Sequence, residues 1–189
     1  MKSIAVFCGS STGKNGIYGQ AAARLGRALA RNNIEIIYGG GKIGLMGIMA
    51  DAALQAGGRV TGVIPGFLAD LELAHGQLSR LITVETMHER KAVINEMSDA
   101  VIALPGGFGT LDELFEMLTW GQLGLHDKPV GILNTNGFYD HMLSLVHSMV
   151  AEGFLKEINS DMLLVYSNID ELLEKMGSYR APRVPKWIK

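Results

Sequence analysis

Two short stretches of this sequence carry residue types that could do chemistry together. One is Leu104-Pro-Gly-Gly-Phe-Gly-Thr-Leu-Asp-Glu113, a glycine-rich turn leading to a carboxylate. The other is Met87-His88-Glu89-Arg90-Lys91, which sets a guanidinium beside an ammonium. Backbone N–H groups of a glycine turn can approach an anion closely, and the start of a following helix adds a favourable dipole. A guanidinium is the group best suited to a phosphate or a paired carboxylate, because its planar fork can bond two oxygens at once. Ordinary structural roles compete with both stretches. Thr110 and Glu113 stand three apart and fit a capping box at a helix start, although that box does not account for the Pro-Gly-Gly-x-Gly before it. Met87–Lys91 taken alone reads first as a solvated charged turn.

An alternation of short apolar runs and longer amphipathic ones must position these stretches. Continuous apolar runs at Ile4–Cys8, Ile34–Tyr38, Arg59–Ile64, Ala100–Leu104, Pro129–Leu133 and Leu163–Tyr166 read as buried strands, with a weaker one at Leu81–Val84. Helical spacing marks Tyr18–Arg31, Gly44–Ala56, Met87–Met97, Leu111–Gly121, Tyr139–Glu152 and Ile169–Met176. Strands apolar throughout and separated by helices predict an α/β fold. It is a Rossmann-like, doubly wound parallel sheet with helices on both faces, in a single domain. The expected strand order, counted along the chain, is 3-2-1-4-5-6-7. The domain should span residues 1–180, with an irregular tail at 181–189. The poorly periodic segment Gly66–Arg80 suits a ligand-covering loop.

Ligands of such sheets bind beyond the carboxyl ends of the strands. Three strand ends here carry glycine clusters: Gly9-Ser10-Ser11, Gly39-Gly40-Gly41 and Pro105–Thr110. The first is not G-x-G-x-x-G, and no acidic residue ends the second strand, so a dinucleotide is not indicated. The spacing from Gly9 to Lys14 is one residue short of a Walker loop, and Gly41-Lys42 is followed by Ile43 rather than Ser or Thr, so a triphosphate with magnesium is not indicated either. A monophosphate remains.

Composition narrows the class further. The chain has 189 residues with 24 glycines and a net charge of −2. That length suits one domain with an adequate core, and the charge balance does not advertise nucleic acid. The single Cys8 can form neither an internal disulfide nor a cysteine-based zinc site. The five histidines show no metal-ligand spacing, although His88 is placed to touch a substrate. No stretch is long and apolar enough for a membrane span, and the start lacks a signal-peptide pattern, which gives a cytoplasmic expectation.

The two motifs together, PGGxGTxxE (Pro105–Glu113) and Met-His-x-Arg-Lys (Met87–Lys91), resemble the LONELY GUY family of cytokinin-activating phosphoribohydrolases, members of which are often labelled lysine decarboxylases. The likeness extends to Cys8–Ser11, Tyr38–Gly47, Val63–Leu68 and Thr119–Asn134. It implies a homodimer or higher homo-oligomer that hydrolyses the N-glycosidic bond of a purine nucleoside 5′-monophosphate, of AMP or cytokinin type, to free base and ribose 5-phosphate. It implies no metal and no organic cofactor. The implied catalytic residues are Arg90 and Glu113. The implied substrate contacts are Gly9, Ser10, Gly41, Glu72, Met87, Arg90, Lys91, Gly106, Gly107, Gly109, Thr110, Glu113 and Thr119. Glu72 is placed only by its position in the loop, 18 residues before Arg90.

The implied chemistry suits these residue types. Departure of a base from C1′ builds an oxocarbenium-like charge, which a carboxylate at Glu113 can stabilise while it orients water. Backbone N–H groups at Gly106, Gly107, Gly109 and Thr110 would hold the 5′-phosphate. Glu116, one turn beyond Glu113 on the same face, could support the site. Two other classes compete. A nucleotide-binding carrier or sensor would not need the Arg90 and Glu113 pair. A pyridoxal-phosphate decarboxylase would need a pyridinium partner that the sequence does not display.

Overall fold

The apolar runs become seven strands of one parallel sheet in a computed structural model that describes residues 1–71 and 73–182. The strands are β1 (Ser3–Phe7), β2 (Glu35–Tyr38), β3 (Val60–Pro65), β4 (Arg80–Val84), β5 (Ala100–Ala103), β6 (Val130–Leu133) and β7 (Leu163–Tyr166). The helices are α1 (Gly16–Arg31), α2 (Gly44–Gln55), α3 (Gly66–Ala69), α4 (Met87–Met97), α5 (Phe108–Gln122), α6 (Asp140–Ala151), α7 (Glu157–Ser160) and α8 (Ile169–Ser178), with a 3-10 turn at Thr135–Gly137. Glu72 and tail residues 183–189 lie outside the described residues.

Successive strand side chains point to opposite faces, and β1 shows how this divides the core. Ile4 and Val6 pack with Leu25 and Leu29 of α1, Met49 of α2 and Leu172 of α8. Ala5 and Phe7 pack with Ile94 of α4 and with Leu114 and Met117 of α5. Helices therefore cover both faces, as a Rossmann-like sheet requires.

The strand order is β4-β3-β2-β1-β5-β6-β7. This corrects the expected 3-2-1-4-5-6-7: the fourth strand adds outside β3, at the sheet edge, and β5 takes the slot beside β1. The cause is burial. A strand beside β1 is covered on both faces, and Ala100–Ala103 is fully buried there, with Val6 paired to Ile102. Arg80 and Leu81 of β4 are exposed, which an edge tolerates and a centre does not. The topological switch thus falls between β1 and β5, where the chain leaves Gly9 and Pro105.

The start of α5 also differs from expectation. The helix begins at Phe108 with Gly107 as its N-cap and no capping side chain. The Thr110–Glu113 capping box is therefore corrected, because Thr110 already lies within the first turn. Packing explains it: a Cβ at Gly106 would stand 2.1 Å from Thr110 Oγ1, so that hydroxyl already fills the space beside the glycine turn. Box-like capping occurs instead at α4. Thr86 Oγ1 accepts from the Glu89 N–H at 3.1 Å, and Glu89 Oε2 accepts from the Glu85 N–H at 2.8 Å.

Candidate active site

Three glycine turns meet at the carboxyl edge of the central strands. The Gly9 N–H donates to Pro105 O at 3.1 Å, and the Leu45 N–H, at the start of α2, donates to Gly9 O at 3.0 Å. Gly44 allows this approach: its φ is +65°, and a Cβ there would lie 2.2 Å from the Ser10 carbonyl carbon. The segment after α3 closes over the turn that follows β2. Lys42 N–H donates to Leu73 O at 2.9 Å, His75 N–H donates to Gly40 O at 2.8 Å, and the buried His75 ring pairs with Asp51 at 3.1 Å.

These elements enclose a cleft of about 430 Å³. Arg90 reaches it from the first turn of α4, whose start the Thr86 and Glu89 cap fixes. Glu113 reaches it from α5. Arg90 Nη1 and Glu113 Oε1 are 3.2 Å apart, with side chains only 12% and 10% exposed. Arg90 Nε donates to Val63 O at the end of β3, at 3.1 Å. Burial pushes the Glu113 carboxyl up to about 7; the Arg90 charge pulls the other way, and Asp112 adds to the rise. Desolvation therefore outweighs the ion pair, and this carboxylate changes charge near neutral pH. Burial, reinforced by the Glu113 charge, also lifts the Cys8 thiol far above its ordinary range, so Cys8 lines the cleft as a neutral group.

The cleft has two chemically different ends. One is the first turn of α5, from Gly107 to Thr110, where helix N–H groups have neither an intrahelical partner nor a side-chain cap. The other is apolar, with Ile43, Met46, Leu68 and Leu73. A second cavity of about 290 Å³, walled by Tyr18, Leu45 and Phe138, lies across the ridge formed by Gly9, Ser10 and Gly107.

Of the residues singled out from sequence, Gly9, Ser10, Gly41, Arg90, Gly107, Gly109, Thr110 and Glu113 line the main cleft, and Gly106 lines the second cavity. Met87, Lys91 and Thr119 do not line the main cleft. Met87 is exposed beside Arg90, with Sδ 4.0 Å from Nη1. Thr119 Oγ1 donates to Phe115 O further along α5. Lys91 Nζ bridges α4 to α5, at 3.2 Å from Asp112 and 3.0 Å from Glu116. Burial alone lowers the Lys91 pKa, but these two acids outweigh it and hold the ammonium above its ordinary value. Glu72 lies outside the described residues. The sequence marks Gly39 only as part of a glycine cluster and gives no site role to Cys8 or to the apolar wall, all of which line the cleft. Sequence reasoning also missed the cap at Thr86, although the T-x-x-E signal at 86–89 was present.

A family model described as "Possible lysine decarboxylase" matches residues 46–176. The probable cytokinin riboside 5′-monophosphate phosphoribohydrolase LOGL1 of Oryza sativa subsp. japonica is 48% identical to this chain, over 93% of it and 79% of the rice protein. Cytokinin riboside 5′-monophosphate phosphoribohydrolase LOG5 of Arabidopsis thaliana is 45% identical, over 95% and 78%. Among solved structures, the molybdenum cofactor binding protein of Rippkaea orientalis shares the fold with a TM-score of 0.70 at 20% identity, covering 94% of this chain and 97% of that one. The molybdenum cofactor carrier protein of Chlamydomonas reinhardtii does so with a TM-score of 0.70 at 18% identity, over 94% and 98%.

Proposed function

The chain belongs to the LONELY GUY family of cytokinin riboside 5′-monophosphate phosphoribohydrolases, and from that premise we propose that Arg90 and Glu113 are the pair with which it cleaves the N-glycosidic bond of a purine nucleoside 5′-monophosphate. The observation that carries the assignment is the buried Arg90–Glu113 contact of 3.2 Å in a cleft with an uncapped helix start at one end and an apolar wall at the other. The 5′-phosphate takes the α5 end, where N–H groups and the helix dipole favour an anion. The base takes the apolar end. C1′ then lies between them, beside Glu113.

As the C1′–N bond breaks, its electron pair leaves with the base and positive charge develops on the ribose. The ionised Glu113 stabilises that charge and accepts a proton from the water whose oxygen bonds to C1′; that same proton, passed on to the departing base, returns Glu113 to its ionised form and completes the balance. The raised pKa suits a group that must both hold and release a proton near neutral pH. Arg90 fixes the carboxylate through a fork that Val63 O orients. Gly9, Ser10, Gly41, Gly107, Gly109 and Thr110 complete the contacts from the cleft walls. Lys91, tied to Asp112 and Glu116, holds the helix of Arg90 to the helix of Glu113.

The decarboxylase in the family description does not fit these side chains. Among the described residues no lysine lines the cleft, and Lys91 is held charged rather than free to form a Schiff base. A homodimer acting in the cytoplasm is part of the proposal. The exposed Leu123 and Leu125 after α5, with Leu145 and Phe154 on and after α6, are the kind of surface a second copy would cover; light scattering on the purified protein measures its mass.

The deciding experiment is a base-release assay with AMP, isopentenyl-AMP, GMP, CMP and the matching nucleosides. Release from purine monophosphates supports the assignment. Tight nucleotide binding with no release from any of them would select a carrier or sensor instead.

A further inference from the structure

The Arg90 guanidinium rests on a part of the cleft wall that has no side chain. Nε is held by Val63 O, Nη1 faces Glu113, and Nη2 lies against the backbone of Gly39. A Cβ on Gly39 would stand 1.9 Å from Nη2 and 3.0 Å from Cζ, and its three nearest neighbours would all be Arg90 atoms. The backbone does not demand glycine here. Gly39 is not among the positive-φ glycines, whereas its neighbour Gly40 has φ +75°. A methyl group at position 39 therefore conflicts with the arginine in its present place, not with the turn.

We propose that Gly39 is a positioning residue for the reaction: the space left by its missing side chain is the socket that holds the Arg90 guanidinium in register with Glu113. The inference rests on the assignment of Arg90 and Glu113 made above. The turn after β2 thereby acts on the catalytic pair without touching the reacting atoms. A methyl group at position 39 meets only the far end of a flexible side chain, so the chain can fold while the fork is displaced from Glu113. Glu113 then loses part of the charge that draws its pKa down and ionises at higher pH.

The test is a double-mutant cycle of wild type, Gly39→Ala, Arg90→Ala and the double variant. Base release from AMP gives kcat, KM and the pH dependence of kcat/KM, and melting temperature reports folding. Gly39→Ala should melt close to wild type, lose about tenfold or more in kcat, and move the ascending pH limb upward. In the Arg90→Ala background the same methyl group should change nothing further. Wild-type kcat and pH limb in Gly39→Ala would overturn the socket while leaving the catalytic pair intact. Losses that multiply in the double variant would also overturn it, because the methyl group would then be acting on substrate or fold rather than through Arg90. Wild-type turnover in Arg90→Ala would sink both the pair and the socket. Should Gly39→Ala alone fail to fold, the double variant decides: removing the guanidinium should restore folding, and an equally unstable double variant counts against the socket.

Discussion

Glu113 is where the proposed chemistry and the stability of this protein meet. Its carboxyl titrates near 7 in the fold against an ordinary value of 4.5, so the folded state holds the proton more tightly than the unfolded chain does. The sign follows: this contribution to stability is fully present below about pH 4.5 and is lost as pH rises to about 7. Glu113→Gln removes the titration. Relative to the Gln variant, wild type should lose about 3 kcal/mol of stability between pH 4.5 and pH 8. Denaturant melts at both pH values measure this, and curves that stay parallel would contradict the raised pKa. The same substitution should cut turnover by about a hundredfold or more, as loss of one electrostatic catalytic group does, while nucleotide still binds. Wild-type kcat/KM should climb through a limb near pH 7, and the residual rate of the variant should lack that limb. A silent substitution can no longer be assigned to a capping role, because α5 starts before Thr110. The adjacent Asp112 makes the contrast. Its side chain is 64% exposed and shares Lys91 with Glu116, so Asp112→Asn should keep most activity and cost at most about 1 kcal/mol.

At the scale of elements, periodicity located the seven strands and six of the eight helices; the four-residue α3, inside the segment read as a loop, and α7 are too short to show a helical period, and cap chemistry was misassigned between two helices. Thr110 and Glu113 show the capping-box spacing as clearly as Thr86 and Glu89 do, and only the packing of Gly106 against Thr110 separates them. Contact of that kind joins positions through space, so a linear pattern cannot reveal it. The same limit hid the contact of Gly39 with Arg90, which lies 51 residues away in the chain (90 minus 39). The cap at α4 has its own consequence. Thr86→Ala removes the acceptor for the Glu89 N–H at 3.1 Å and should cost about 1 kcal/mol, lowering the melting temperature. Because Arg90 sits in that first turn, turnover should fall with it while the affinity for inorganic phosphate at the α5 end stays unchanged. Unaltered turnover in the Ala variant would mean that the cap does not set the position of Arg90.

For the whole molecule, the alternation of apolar runs was enough to give a parallel sheet covered on both faces, since that burial is written into each strand separately. The place of β4 was not, because strand order depends on which strand tolerates an edge, and exposure at Arg80 and Leu81 is a property of the assembled sheet. The glycine clusters were legible as converging turns because any doubly wound sheet brings its carboxyl strand ends to one edge. That convergence yields a prediction belonging to no single residue. The Gly9 and Gly39–Gly41 turns wall the cleft, and α5 presents its first turn without a capping side chain. In the proposed site a 5′-phosphate supplies the acceptors those N–H groups lack, and holding it at the α5 end would set C1′ beside Glu113. A nucleoside leaves the N–H groups to water and leaves the ribose unanchored, so the loss should appear in kcat as well as KM. Two or three charge-assisted hydrogen bonds at about 1.5–2 kcal/mol each amount to about 4 kcal/mol, or about a thousandfold in kcat/KM between AMP and adenosine. The measurement is base release from both compounds at one pH with purified protein. If adenosine is hydrolysed as fast as AMP, the glycine turns serve only the fold, and the phosphate end of the cleft has no part in catalysis.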